Sequence, residues 1–527
     1  MTDNLRAESL DPNPPKLFSR ALVKSWFAIS IAMLSLIACG YDQTMSWDMP
    51  LLSSFTDDIT PKVNPLALAT FDSLTNYAGM MAAVFMPFSY DWKGRKFGFA
   101  IGNVFAFIGS CISVFGTLNL SQDVTTIYYL GRFIAVLGID IAAGCAYMYA
   151  AEVSHPAHRA FFTGLFGMGW SIGNFINNLI IFLVTFMDYS SWQWRIPTIM
   201  QAVFSVIILA ALPFIPESPR TLVSKGRFEE AEKVIRDWTG TSSEEFVKAQ
   251  MVELRESFKD AAKSDTILET YNMRPLWATT NSQRRIFLLI FTNSIINMLN
   301  LGATSGVFGT LIYDAIGLGS DRQKTALNLG NNAFACIASF FMSMYIEQWG
   351  RRRTYIIAYT ISFFLGFLGA IAMEGYRDTS GIGYSYLYIA SIFIGTLYSA
   401  PIGPVQVIFQ TELLSYNFRA KGKALNDFVN KPANVALTYF QSFVYSAIDT
   451  RSFWVAQGYT LLFLGWNWFT MPETKGRTLE EVDDIFDHPS PMYTEWINRK
   501  SGQTNYVKYS LEVLKSKAEG NSDALKA

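Results

Sequence analysis

Four charged residues sit inside long apolar runs: Asp42 in GYDQTMSW, Arg132 and Asp140 in GRFIAVLGIDIAAGCAY, and Lys431 in NDFVNKPANV. A charge in hydrocarbon is costly and marks a proton relay, an ion path or a ligand contact. A buried carboxyl can carry a proton: burial favours its neutral form, and a nearby guanidinium favours the ionised one. A cation that approaches and withdraws would switch Asp42 between the two, and Arg132 is the nearest plausible cation. The alternative is a static structural pair. Asp140 lies two turns from Arg132, about 12 Å along a helix axis, which is far for direct pairing. It reads equally as a hydrogen-bond acceptor in a cavity, a second proton site, or a neutral carboxyl bonded to a neighbouring helix. Lys431 follows Asp427 by four residues, which predicts an intrahelical pair. The sharper reading is a cationic contact for an acidic ligand.

The elements that must position these groups are membrane spans. The chain has 527 residues, half of them hydrophobic, with 42 Phe and 16% charged residues. Soluble domains carry about a quarter charged residues. Runs of about 20 apolar residues cross roughly 30 Å of hydrocarbon. Twelve spans are predicted near 25–46, 67–89, 98–117, 126–151, 161–187, 196–215, 285–312, 325–346, 354–373, 384–411, 423–446 and 453–471. The first 22 residues are polar, and the first apolar run is too long for a cleavable signal, so it reads as a signal-anchor. Cys39, Cys111, Cys145 and Cys336 all fall inside spans and read as small core residues. Three His have no ligand spacing, so neither metal nor cofactor is expected. Net charge is −1, which gives no electrostatic case for nucleic acid, and no nucleophile–base spacing points to an enzyme.

Lys and Arg set the orientation. DWKGRK (91–96), HPAHR (155–159), GRRR (350–353) and RAKGK (419–423) occupy alternate loops, which places them with both termini and the polar segment 216–283 in the cytoplasm. Amphipathic stretches such as RFEEAEKVIRDW predict short surface helices there. An opposite loop holds an Asn-x-Ser acceptor at Asn119, a site available only outside. The phrase PESPR (216–220) closes the sixth span, and PETKGR (472–477) closes the twelfth. Each half also has a basic turn between its second and third spans. The chain therefore reads as a duplication: a tail (1–24), a six-helix half (25–215), a linker (216–283), a second six-helix half (284–471) and a tail (472–527). Duplicated carriers place their site where the halves meet, near the bilayer midplane.

These phrases resemble the sugar porter group of the major facilitator superfamily across roughly residues 25–487. They are Asp91-x-x-Gly94-Arg95-Lys96, Gly131-Arg132, Tyr149-x-x-Glu152 with Arg159, and Pro216-Glu217-Ser-Pro-Arg220. In the second half they are Glu347-x-x-Gly350-Arg351, Glu412 with Arg419-x-Lys421-Gly422, and Pro472-Glu473-Thr-x-Gly476-Arg477. The stretch TELLSYNFRAKG looks most like the fungal lactose and cellodextrin permease branch. The resemblance implies a monomeric, all-α, twelve-helix carrier of the plasma membrane whose partners are a sugar-like small molecule, a proton and the lipid bilayer. It implies that Asp42 and Arg132 pair and that the Asp exchanges the proton. It also implies cytoplasmic charge networks among Asp91, Arg95, Glu152, Arg159, Glu217 and Arg220, and among Glu347, Arg351, Glu412, Arg419 and Glu473.

The chain departs from the group at its ligand positions. Asp140 stands where the group has Gly, and Lys431 where it has an aromatic. Gly167 replaces a Gln, Met298 and Ala303 replace amides, and Val407 replaces a Trp. Unpaired buried polar groups cost about 1–3 kcal/mol each, so the ligand should differ. Replacement contacts are Asn174, Asn177, Asn297, Asn300, Gln406 and Asn430, with Trp170 or Tyr398 as a stacking surface. Polar residues at helical spacing also serve as glue between helices. The expected function is proton-coupled uptake of a sugar or polyol. A non-transporting sugar sensor of carrier-like fold and a facilitative uniporter for a non-standard substrate, an acidic one included, are the rivals.

Overall fold

The computed structural model describes residues 19–60, 64–91, 94–118, 124–155, 159–238, 243–259, 274–277, 280–290, 309–399 and 419–473, with Pro15 and four single positions between 402 and 413. Ten of the twelve expected spans coincide with single helices: α1 (Val23–Asp48), α3 (Pro65–Asp91), α4 (Arg95–Phe115), α5 (Val124–Val153), α6 (Arg159–Val184), α7 (Trp192–Ala211), α13 (Asp321–Trp349), α14 (Arg351–Thr379), α16 (Arg419–Ile448) and α17 (Ser452–Thr470). The seventh span is described only at its ends, as α11 (Thr280–Ile290) and α12 (Gly309–Ala315). The tenth begins as α15 (Ile382–Ser399). A short α2 (Ser53–Asp58) follows α1. Among the described residues, five helices are long and apolar enough to cross a bilayer on length and composition alone. α14 extends about a turn beyond its apolar run at each end, with polar and charged residues at its termini.

The surface is apolar where lipid would lie. Phe105, Phe107 and Ile108 of α4, Val206 and Ile207 of α7, and Leu461, Leu462 and Phe469 of α17 are all exposed. Such a band would aggregate in water and suits a bilayer. Inside the first half the helices approach through small residues. A Cβ on Gly109 would lie 2.3 Å from the backbone N of Ala135, and one on Gly138 would lie 2.3 Å from the carbonyl of Gly102. α4 and α5 therefore meet backbone to backbone, as helices do where van der Waals contact replaces the hydrophobic effect.

The linker carries short helices, as its amphipathic pattern predicts: α8 (Pro219–Ser224), α9 (Phe228–Trp238) and α10 (Glu244–Lys259). Leu222, Ala231, Ile235, Phe246 and Val247 give them a small core of their own. His155 stacks on Phe246 at 5.0 Å, and Ser25 bonds to the carbonyl of Trp238, so this layer sits under the first half. We call this end of the bundle the linker face.

The halves meet along α3 against α16 and α6 against α13. Polar contacts run up this seam from the middle toward the face opposite the linker. Ser171 meets Ser339 (3.1 Å), Asn434 donates to Asn76 (2.9 Å), Thr438 to Asp72 (3.4 Å) and Asn328 to Asp48 (2.8 Å). Near the far face, Ser53 donates through its backbone N to Asp321 (2.7 Å). Among the described residues, these bonds tie the two halves together on the far side.

Candidate functional site

α1 and α5 hold the first charge pair face to face. Arg132 Nη1 lies 2.9 Å from Asp42 Oδ1, and its Nη2 donates to the Asp42 carbonyl (2.7 Å) and to Ser46 Oγ (2.8 Å). Gln201 of α7 donates to the same carboxylate. The guanidinium stands 5.9 Å from the Phe71 ring centroid, and the Arg132 side chain is 1% exposed. The pair is buried, and among the described residues both side chains that donate to the Asp42 carboxylate, Arg132 and Gln201, belong to the first half.

Asp140 and Lys431 form a second pair. Nζ lies 3.2 Å from Asp140 Oδ2, bridging α5 of one half and α16 of the other. The ion pair that Lys431 makes is thus with Asp140 rather than the local one its sequence neighbours suggest. Gly79 of α3 gives the pair its room: a Cβ there would fall 2.5 Å from Asp140 Oδ2 and 2.7 Å from Lys431 Nζ.

The other candidates divide. Trp170 donates to Gln43 (3.0 Å). Asn174 lies 2.6 Å from Thr44 Oγ1, and Asn177 donates to Asp48 (2.9 Å), so both join α6 to α1. Among the described residues, the buried Oδ1 of Asn430 has no hydrogen-bond partner. Asn297, Asn300, Gln406, Glu412 and the glycosylation candidate Asn119 lie outside the described residues. So do the side chains of Asp91, Arg159, Glu347, Tyr398 and Arg419.

At the linker face the two Pro-Glu phrases do the same job. Gly94 (φ +99°) and Gly350 (φ +86°) turn the chain into α4 and α14 with backbone angles that suit glycine. Glu217 then accepts from the backbone N of Arg95 (3.1 Å) and of Ser218 (3.0 Å), and Glu473 from that of Arg351 (2.9 Å). Each carboxylate caps a helix N-terminus more than a hundred residues before it, where the orphan N–H groups and the dipole favour negative charge. Arg95 also pairs with Glu152 through two bonds of 2.9 and 3.2 Å, and Ser218 joins them. Burial pushes the Glu152 carboxyl up, but the Arg95 ion pair and these hydrogen bonds outweigh it. The net shift is downward. Arg220 adds to the same field.

Two buried carboxylates escaped the sequence reading. Asp48 receives bonds from Asn177 and Asn328, and Asp72 from Trp47 (2.9 Å) and Thr438. Both lie on the seam. Their signal was present: an acidic residue in TMSWDMP and another in FDSLTNYAGM, each within or beside an apolar run.

The geometry defines an all-helical membrane carrier of two halves, with buried ion pairs in its core. The family model described as "Sugar (and other) transporter" matches residues 27–486, and the chain belongs to that family. It is 24% identical to the low-affinity glucose transporter HXT4 of Saccharomyces cerevisiae, over 88% of this chain and 81% of that protein. It is 21% identical to the probable polyol transporter 6 of Arabidopsis thaliana, over 87% and 94% respectively. Among solved structures, the proton:xylose symporter XylE bound to 6-bromo-6-deoxy-D-glucose superposes with a TM-score of 0.70 at 18% identity, covering 88% of this chain and 99% of XylE. The inward-open form of XylE from E. coli gives 0.67 at 18% identity, with 88% and 99% covered. The chain is a membrane transporter of the major facilitator superfamily, not an enzyme.

Proposed function

We propose that this protein carries a sugar or polyol into the cell by alternating access, driven by protons that Asp42 takes up and releases. The observation that carries this reading is the buried Asp42–Arg132 pair. In this state Arg132 and Gln201 donate to the Asp42 carboxylate, and Ser46 accepts from Arg132 and steadies the guanidinium. A rearrangement that draws Arg132 away would leave a carboxylate in hydrocarbon, which binds a proton instead. The basic loops favour a cytoplasmic linker face and cytoplasmic termini, with the plasma membrane as the expected site. In that orientation the far side, where the halves are bonded together, is the outer side. The relatives named for glucose and polyol transport support a neutral polyhydroxylated substrate.

The test is uptake of labelled hexoses and polyols in cells lacking their own carriers. The expected result is accumulation above the outside concentration, collapsing when a protonophore is added. Uptake that equilibrates, ignores the protonophore and leaves the cytoplasm unacidified makes the protein a facilitator. Binding without uptake makes it a sensor.

A further inference from the structure

The Asp140–Lys431 pair makes no hydrogen bond to Asp42 among the described residues, yet it spans the two halves. We propose that it is the charge-selectivity element of the substrate path. It presents a neutral, hydrogen-bonding face that admits a neutral polyol and rejects charged analogues of either sign. This rests on the uptake reading above.

The side chains are 14% and 27% exposed, so the pair is shielded but reachable. Asp140 Oδ1 has only the weak donor Cys39 Sγ at 3.9 Å among the described residues. Lys431 spends one N–H on Oδ2 and carries two more. Hydroxyl groups can donate to that free oxygen and accept from those N–H groups while the pair stays intact. Asn430, one residue earlier on α16, has a buried Oδ1 with no partner among the described residues, a further acceptor beside Lys431 in sequence. A ligand carboxylate must instead pull Lys431 from Asp140 and leave that carboxylate unpaired. A ligand amine does the reverse. Each exchange strands a buried charge, and that is the penalty that excludes it. The close fit around Gly79 leaves little space for the two side chains to swing apart.

The experiment uses the full-length protein in lipid nanodiscs with glucose, glucuronate and glucosamine as probes, read by ligand-induced thermal shift and by uptake in cells. Wild type should favour glucose over both charged probes by at least tenfold. Asp140→Asn should gain glucuronate by tenfold or more, Lys431→Gln should gain glucosamine, and the double variant should gain neither. If a single variant fails to fold, the exchanged pair Asp140→Lys/Lys431→Asp serves in its place and should keep the wild-type preference. A wild type that takes glucuronate as well as glucose overturns the proposal, and so do variants whose preferences do not move. If wild type responds to none of the three while the single variants still acquire the opposite charge, only the uptake reading falls.

Discussion

Glu217→Gln removes one charge from the N-terminus of α4 while keeping the side chain's length. The carboxylate accepts two backbone N–H bonds of 3.1 and 3.0 Å, and a third donor, Lys96 N, stands at 3.4 Å. A bond to a charged group contributes about 1.5–3 kcal/mol and a neutral one about 0.5–1.5. The amide oxygen can keep one or two of them in weakened form. Lost interaction with the helix dipole adds about 0.3–1 kcal/mol. The expected cost is roughly 2–4 kcal/mol, and more for Glu217→Ala, which loses both bonds outright. For a unit the size of one six-helix half, this lowers the melting temperature by about 2–4 °C per kcal/mol. A thiol-reactive dye reads the melt, because Cys145 is buried and the other three cysteines are partly so. Glu473→Gln should produce a similar drop, since Glu473 meets Arg351 N at 2.9 Å in the same geometry. The double variant should add the two, the sites being in different halves. Gly94→Ala should be worse than Glu217→Gln: its φ of +99° is strained for any side chain, and its Cβ would come 2.7 Å from the Glu217 carboxylate. A Glu217→Gln melt that overlays wild type refutes the capping argument. A drop at Glu217 with none at Glu473 refutes the claim that the two phrases do the same work.

Three further outcomes are expected. Asp42→Asn should abolish protonophore-sensitive accumulation of substrate while leaving exchange between pools measurable; accumulation that persists shows the proton is carried elsewhere. Glu152 is held below the usual carboxylate range, so its contribution to stability is present above that range and is lost as pH falls through its lowered folded value. The melting-temperature gap between wild type and Glu152→Gln should therefore be flat near neutrality and narrow below about pH 4; a gap that widens in acid contradicts the Arg95 pairing. Gly79→Ala should push Lys431 and Asp140 apart. With an effective dielectric near 20, moving the charges from 3.2 Å to about 4.5 Å costs roughly 1.5 kcal/mol, against a helix-propensity gain of at most about 1 kcal/mol. Glucose affinity should fall while Gly79→Ala in the Asp140→Asn/Lys431→Gln background should be tolerated, which a double-mutant cycle checks.

The spans were legible because hydrocarbon length and apolar composition leave few alternatives. The duplicated Pro-Glu phrase was legible as a repeat but not as a pair of caps. A cap is a meeting between residues 122 apart for Arg95–Glu217 and again for Arg351–Glu473, and nothing local in either segment announces it. Asp42 and Arg132 could be paired through the family resemblance. Asp140 and Lys431 could not, since they lie 291 residues apart in different halves, and the nearer Asp427 offered a ready local partner. Asp48 and Asp72 were passed over because each sits toward the end of a span, where a charge looks like a boundary.

The seam between the halves carries many small polar bonds beside the apolar cluster in which Leu51 and Leu68 meet Ile312, Tyr313 and Ile316. Water advancing from the far face can replace Asp321 on Ser53, then Asn328 on Asp48, then Thr438 on Asp72 and Asn434 on Asn76. Each exchange trades one hydrogen bond for another and changes free energy by only about 1 kcal/mol. Under the alternating-access proposal the polar part of the seam opens as a zipper wetted tooth by tooth, the apolar cluster parts as a separate step, and the Asp140–Lys431 pair is among the last teeth.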